Sequence, residues 1–488
     1  MNPSRQPLSE NKRRLLERCL SGEVGLQGAQ ATTIRRRVAG EDAPLSLAQE
    51  EVWRRAEARA SKAQLYNESI TLRRSGPLNE AALGRALTEV VRRHEIWRTT
   101  YHVVGGAPVQ RIGPPPVTMD LPAVDVSMLA QDQAESLAKD VRSRHATHAF
   151  DLEHGPLVRA LLIHLPGDEH ELVLVMHQSV VDGVSVYQIV PRELIMLYEA
   201  FSTGAEPRLP ALAIQYADYA AWQRETLRRS ALQAQIDYWR RQLDGAPTAL
   251  PWSGDFSRPP IESHRGAIVP CRFDAALLRE VSSFCRSRGA TLFTALFAAF
   301  AAVLHRYTGQ PDIVIGTLAP SGRKRSEVKD LIGYFLNPVA LRSRAERATT
   351  FVAMIDHAKA IIAGALSNDD IPIEQVVDAL KLRPDPSRHP FFQVAITLAP
   401  PLADLKAGWT QSFMDADSGG ARWDLYLEFS ERSDGLMGRV QHNPDLFNSE
   451  TVDALVGDIQ AVLAAAALNP EISMASLPVA GRSRTAVP

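Results

Sequence analysis

At 488 residues, 45% of them apolar, the chain is long enough for two domains of ordinary size and greasy enough to pack both. Lys and Arg total 54 against 56 Asp and Glu, a net charge of -2, so neither nucleic acid nor an anionic membrane surface has an electrostatic reason to bind. Cys19, Cys271 and Cys285 are too few and too scattered for a disulfide framework or a metal cluster, and the longest greasy stretch, Ala295 to Leu304, falls well short of the roughly 20 residues a bilayer crossing needs. With no apolar signal core ahead of the charged Asn11-Lys-Arg-Arg14, a cytoplasmic protein with reduced thiols is expected.

The first predicted element is a short amphipathic helix over 8–20, where Leu15, Cys19 and Leu16, Leu20 fall at helical spacing behind a Ser9 cap. After Gly22 and Gly25, the run Ala31-Thr-Thr-Ile-Arg-Arg-Arg-Val38 reads as a strand with a cationic edge at Arg35, Arg36 and Arg37. A solvated, charged leader is the alternative reading of the same residues. From 45 to 220, a helix at Leu78–Arg93 alternates with strands at 66–73, 157–164 and 171–176, the pattern of an α/β body. A second body begins near Arg265, with a strand at 266–273, helices at 275–287 and 291–306 and a strand at Asp312–Gly316, in an order that echoes the first. Between them, Ala231–Leu243 reads as a helix and the run from Gly245 to Pro260 as a turn-rich linker. The last helix starts behind Ser449 as its cap and carries Val452, Leu455, Val456, Ile459, Val462 and Leu463 as one apolar stripe. The expected division is a leader of helix, small β-hairpin and linker at 1–43, a first lobe at 44–224, an interlobe region at 225–262 and a second lobe at 263–488.

Candidate chemistry lies where the apolar strand 171–176 stops. His177-Gln178-Ser-Val-Val-Asp182-Gly183 presents an imidazole, a carboxamide and a carboxylate within one loop. Alone, a His-x4-Asp-Gly pattern is weak, because Asp-Gly is a common turn dipeptide. Its company makes it informative. Ser46-Leu-Ala-Gln-Glu-Glu-Val-Trp53, Arg93-His-Glu-Ile-Trp-Arg-Thr99, Tyr216-Ala-Asp-Tyr-Ala-Ala-Trp-Gln-Arg224, Ile332-Gly-Tyr-Phe-Leu-Asn337, Asp370-Ile-Pro-Ile-Glu374 and Asp385-Pro-Ser-Arg-His-Pro-Phe-Phe-Gln393 follow one another along the chain. With Phe150–Pro156 and Asn443–Phe447, this series resembles the motifs of nonribosomal peptide synthetase condensation domains, and His177–Gly183 resembles their HHxxxDG loop. The resemblance covers about 45–470.

That resemblance implies an α/β (α+β) fold of two chloramphenicol-acetyltransferase-like subdomains forming a V-shaped pseudo-dimer, with the loop at their junction and a tunnel entered from opposite faces. It implies an acyltransferase that joins an acyl thioester, brought by a carrier protein on its 4'-phosphopantetheine arm, to an amine or hydroxyl on an acceptor that is free or carrier-bound. No cofactor or metal of the chain's own is implied, and a free-standing monomer is expected. By the same resemblance, Asp182 pairs with an arginine, for which Arg98 and Arg93 are the candidates, and His177 is structural; Gly183 lets the backbone turn tightly and approach substrate at the start of a helix over 184–201. Asn337 and Ser387 match positions near the tunnel and interlobe contact, the aromatic residues Trp53, Trp97, Trp222 and Tyr219 pack the core, and the leader with Arg35, Arg36 and Arg37 resembles docking elements that precede some family members.

One position departs from the pattern. Gln178 stands where the family has its second, catalytic histidine, and a carboxamide does not take up a proton near neutral pH. A silenced enzyme, an active variant that runs on positioning, and a non-catalytic module that binds carrier protein and recruits partners are all compatible with these residues, beside a soluble acyltransferase that uses a coenzyme A thioester.

Overall fold

The computed structural model describes residues 33–480, apart from 39, 59–63, 228, 253, 384, 407 and 413–417. The helix expected over 8–20 lies outside the described residues. Residues 33–38 form no strand.

The first half begins with β1 (Ala43–Pro44), α1 (Leu47–Ala58), β2 (Asn67–Ser75) and α2 (Glu80–Arg93). The hairpin β3 (Thr99–Val104) and β4 (Ala107–Ile112), then β5 (Ala123–Asp125) and α3 (Gln131–Thr147), lead to a second hairpin, β6 (Val158–Leu165) and β7 (Glu169–His177), followed by α4 (Val190–Ser202). Helices α5 (Tyr216–Thr226) and α6 (Arg229–Leu243) carry the chain across. The second half contains β8 (Ala267–Asp274), α7 (Ala275–Ser287), α8 (Leu292–Thr308), β9 (Asp312–Ala319), β10 (Asn337–Arg344), α9 (Phe351–Leu366) and α10 (Ile373–Leu380). It ends with β11 (Val394–Ala399), β12 (Trp409–Gln411), β13 (Leu425–Arg432), β14 (Gly435–His442) and α11 (Ser449–Leu468).

Local chemistry explains the ends of several elements. Asn79 caps α2 by accepting from Ala82 N at 3.0 Å, and the buried Leu83, Leu87, Val90 and Val91 form its inner face. α8 is apolar on all sides from Ala295 to Leu304, so it runs through the middle of the second core and stops at Gly309 with φ 68°. The cap of α11 is Asn448, whose Oδ1 accepts from Thr451 N at 2.8 Å, one residue before the Ser449 expected from the sequence.

Three sheets result, with strand orders β1-β4-β3, β12-β2-β7-β6-β5 and β10-β9-β11-β13-β14-β8. β7 is the central strand of the five, which explains its apolar run: every residue from Glu171 to His177 is buried. The exception in sign, Glu171, is held by Arg142 and Arg73.

The halves exchange material at two places. β12 leaves the second half and pairs antiparallel with β2, Trp409 opposite Arg74 and Gln411 opposite Leu72. The segment between β9 and β10 buries Val328, Leu331, Ile332 and Phe335 in the first half's core. At its closest point Gly333 lies against Tyr216, whose hydroxyl contacts Ser46 Oγ at 2.9 Å and donates to the Tyr334 carbonyl. A Cβ on Gly333 would sit 2.0 Å from Tyr216 Cδ2. Gly333→Ala should therefore lower the urea midpoint by the equivalent of about 1–3 kcal/mol, whereas Gly84→Ala, inside α2 with nothing within 4 Å of a new Cβ, should raise it. Equal midpoints for the two variants would remove the claim that this junction is tightly packed.

A candidate active site where the two halves meet

β7 ends at His177, residues Gln178–Val180 make one tight turn, and a π-helical turn at Ser185–Ile189 feeds α4. Within this loop the polar groups are divided into two sets.

His177 belongs to the structural set. Its Nδ1 receives the Ser179 hydroxyl at 2.7 Å and the Ser179 N–H at 3.3 Å, which places the ring proton on Nε2. The rings of Tyr66 and Phe150 stand 6.0 and 6.1 Å away, and burial pushes the imidazole pKa down to about 3. Ser179 in turn is fixed by its carbonyl, which accepts from Tyr101 Oη and Gln49 Nε2, each at 3.3 Å.

Asp182 anchors the other end of the loop. Its Oδ1 accepts from Ser185 N and Ser185 Oγ, both at 2.8 Å. A guanidinium closes on it from the second half, with Arg323 Nε to Oδ2 and Arg323 Nη2 to Oδ1 both at 2.7 Å. Arg323 also donates to Ser185 Oγ and the Leu331 carbonyl at 3.0 Å, to the Val328 carbonyl at 3.1 Å, and lies 4.3 Å from the centroid of the Phe335 ring.

The cation is thus neither Arg98 nor Arg93. Arg93 reaches Glu193 on α4 at 3.1 Å, alongside His94 at 2.8 Å, and Arg98 donates to the Gly113 carbonyl. Both are engaged within the first half, while Asp182 faces the second. Gly183 also plays a different part from the one expected. Its φ is not in the left-handed region; instead, a Cβ would stand 3.2 Å from Pro400 Cδ and 3.7 Å from Tyr187 Cδ2. Close approach of the crossing segment, rather than a sharp turn, calls for glycine here.

Gln178 belongs to neither set. Its backbone carbonyl accepts from Val181 N at 3.2 Å and its side chain is buried at 3% exposure. Its carboxamide has no hydrogen-bond partner among the described residues. An amide in this position can both donate and accept a hydrogen bond.

The remaining candidates are engaged elsewhere. Asn337 Nδ2 donates to the carbonyls of Asp369 and Ile371, both at 2.7 Å, and Ser387 Oγ donates to Asp385 Oδ1 at 2.6 Å. Both hold turns inside the second half and make no interlobe hydrogen bond among the described residues. Arg36 donates to the carbonyls of Leu212 and Ala213, and Arg37 pairs with Glu95 at 3.0 Å while its N–H meets Asp218 Oδ1 at 3.0 Å. These two fasten the leader to the first half; Arg35 alone of the three points into solvent with no partner among the described residues. Sequence reasoning missed Arg323, Ser185 and Ser179. For Arg323 the available signal was its place: like the His177 loop, the Pro320–Arg323 turn follows the end of a buried strand.

Residues 39–485 match a family model described as "Condensation domain". Malpinin synthetase of Mortierella alpina is 35% identical over 437 residues, which is 89% of this chain but 6% of that protein. Phosphinothricin tripeptide synthetase PhsC of Streptomyces viridochromogenes is 35% identical over 90% of this chain and 40% of its own length. The chain thus spans less than half the length of either relative. Among solved structures, the X-domain in complex with OxyB from teicoplanin biosynthesis superimposes with a TM-score of 0.79 at 28% identity, covering 93% of this chain and 100% of that one. The first condensation domain of the calcium-dependent antibiotic synthetase, bound to a substrate analogue, gives 0.78 at 20% identity over 90% of this chain and 99% of that one. The two-lobed, mixed α/β architecture is therefore the fold these domains share.

Two outcomes follow from the loop. Arg323→Ala leaves the Asp182 carboxylate buried without its cation and should cost about 3–5 kcal/mol in denaturant unfolding, with Arg323→Lys recovering only part because one ammonium cannot reproduce the two-pronged contact. A variant as stable as the parent would show that the pair does not hold the junction. For His177, the folded pKa of about 3 lies below the ordinary unfolded value, so between the two the unfolded chain binds a proton that the folded chain does not. Its stabilising contribution is complete above about pH 6.5 and is lost toward pH 3 by up to about 1.4 kcal/mol per pH unit. Thermal melts at pH 7.5 and 5 should show a smaller acid loss in His177→Asn than in the parent, and equal losses would mean that the imidazole does not carry the effect.

Proposed function

The chain belongs to the condensation-domain family of nonribosomal peptide synthetases, and on that premise we propose that it transfers an acyl group from a carrier-protein thioester to an amine or hydroxyl, with Gln178 as an orienting group and not a base. In the transfer, the acceptor nitrogen or oxygen bonds to the acyl carbon, the carbon–sulfur bond breaks, and the acceptor's proton leaves with solvent or the released thiol. The 4'-phosphopantetheine arm belongs to the partner and arrives as substrate.

The observation that carries this reading is the Gln178 carboxamide, without a hydrogen-bond partner among the described residues, at the end of the central strand and beside a loop clamped from both halves. An amide there can donate one hydrogen bond and accept another, which suits holding an acceptor N–H or O–H against a carbonyl. Holding two tethered reactants at attack distance is worth up to about 7–11 kcal/mol in well-oriented cases, whereas a general base contributes roughly 10²- to 10⁴-fold, so a positioning enzyme without the base retains most of its advantage. His177 does not supply the missing base, because Nδ1 is occupied by Ser179 and the ring is held neutral. Arg35 is available for steering a carrier protein.

A second reading has its own support. The similar X-domain was solved in complex with OxyB. By analogy, this chain would hold a carrier protein and a partner enzyme together without forming a bond.

Mass spectrometry of an acyl-loaded carrier protein with amine and alcohol acceptors separates the two. The parent chain should form product slowly, Gln178→His should form it roughly 10²- to 10⁴-fold faster, and Gln178→Leu should fall below the parent. Product from the histidine variant alone would mark Gln178 as a silencing residue and end the positioning role. Product from none of them would favour the recruiting module.

A further inference from the structure

A pair of histidines lies at the other end of the β6–β7 hairpin, seven residues and roughly 23 Å along β7 from His177. His164 of β6 and His170 of β7 are cross-strand neighbours, and their rings meet edge to face with centroids 5.1 Å apart. The two Nδ1 atoms stand 2.9 Å from each other. The far nitrogens both face carboxylates: His164 Nε2 lies 3.5 Å from Glu80 at the head of α2, and His170 Nε2 lies 3.4 Å from Asp168 in the hairpin turn. That turn is fixed, with Gly167 and Asp168 at φ 79° and 59° and the Asp168 carbonyl accepting from Gly76 N at 2.8 Å.

A neutral imidazole carries one N–H and one lone pair. With each Nε2–H aimed at its carboxylate, both Nδ1 atoms present lone pairs to one another, and the two call for a positive centre. A shared proton meets that need, and so does a metal ion held by both Nδ1 atoms. Metal-ligating histidines characteristically direct the other N–H to a carboxylate, which is the arrangement on both rings here. The surrounding charge also favours a cation. Asp125 lies beside His164 on β5 as a third carboxylate, while the one guanidinium opposite His170, that of Arg74, is taken up by the rings of Tyr198 and Trp409 at 5.9 and 5.8 Å.

We propose that His164 and His170 form a two-imidazole site for a divalent transition-metal ion, with Cu(II) or Ni(II) preferred to Zn(II). The site goes beyond the proposed acyl transfer and ties β6 to β7 far from its centre. An ion about 2.0–2.1 Å from both nitrogens closes an angle of about 90° when these are 2.9 Å apart. That is the cis angle of square-planar and tetragonal sites, which Cu(II) and Ni(II) favour. A turn of each ring about its broad second torsion aims the lone pairs at the ion. The side chains keep 17% and 12% of their surface open, so the pair can be reached from solvent. Among the described residues no group of three or more His, Cys, Asp or Glu is placed to hold a metal, so water fills the remaining positions.

Metal titration of the untagged full chain, stripped with a chelator, tests the site without turnover. Calorimetry with the chlorides of Cu(II), Ni(II), Zn(II) and Mg(II) gives affinities, and electron paramagnetic resonance at one equivalent of Cu(II) counts the coordinated nitrogens. One saturable Cu(II) with two imidazole nitrogens is expected, with Ni(II) and Zn(II) bound more weakly and Mg(II) not at all. His164→Gln and His170→Gln should each weaken Cu(II) at least about a hundredfold, because the second imidazole adds its contact intramolecularly. Glu80→Gln, at an exposed position, should weaken it about tenfold by releasing the His164 ring. Cu(II) binding unchanged by either histidine substitution would mark an adventitious ion only and overturn the proposal. The absence of saturable binding, or a spectrum with one coordinated nitrogen or none, would overturn it as well. If both histidine variants prove unfolded by circular dichroism, Glu80→Gln decides, an unchanged Cu(II) affinity counting against the site.

Discussion

A carboxylate buried in an apolar setting must have a cation, and Asp182 takes its cation from a residue 141 positions further along the chain. Arg323 reaches it with two parallel hydrogen bonds while its remaining donors hold the carbonyls of Val328 and Leu331, so the guanidinium fixes its own loop and the His177–Gly183 loop in a single arrangement. The loop that carries Gln178 is therefore held by contacts from both halves of the chain.

The other junction contacts act in the same direction. β12 adds a strand from the second half to the first half's sheet, and the segment leading to it lies on Gly183 and meets Tyr187, whose carbonyl accepts from Ala403 N at 2.9 Å and Gln411 Nε2 at 3.1 Å. On the far side, Gly333 lets the Ile332–Phe335 stretch settle onto Tyr216. Two glycines permit two close approaches, one on each flank of the loop, and packing at these distances is felt at the scale of one methyl group. A rigid junction of this kind is what positioning chemistry requires, because misplacement of about 1 Å can remove most of the benefit of holding reactants together.

Much of this was legible in the chain, and the parts that were not share a physical cause. Strands 66–73, 157–164 and 171–176 and helices 275–287 and 291–306 stand within a few residues of their observed limits, because apolar periodicity and burial are local signals. The loop at 177–183 was legible for the same reason: a buried strand has to end somewhere, and its polar end is conspicuous. The partner of Asp182 was not. Arg93 and Arg98 are nearer in sequence and belong to a recognisable motif, yet three-dimensional proximity across the junction decides ion pairing, and the place of Arg323 after the end of a buried strand does not by itself name its partner. The cap of the last helix slipped by one residue, from Ser449 to Asn448, since both side chains are good caps and only the backbone register distinguishes them. The strand expected at 31–38 failed where described because Arg36 is held by backbone carbonyls at 212 and 213 and Arg37 by Glu95 and Asp218, which a reading of charge as exposed edge does not foresee.

The wiring of the loop also explains how position 178 can carry a glutamine while its surroundings remain intact. The side-chain hydrogen bonds that shape residues 177–185 involve His177, Ser179, Asp182 and Ser185, with Tyr101, Gln49, Arg323 and Gly333 among the outside partners. The side chain of residue 178 takes part in none of them among the described residues. The hydrogen bonds that set the loop therefore do not depend on the side chain at 178. In most buried positions a change from base to amide would be judged first by stability, whereas here the loop separates the two. A loop wired in this way separates the residue at 178 from the contacts that hold its backbone, and chemistry that depends mainly on holding reactants in place would tolerate a change there best.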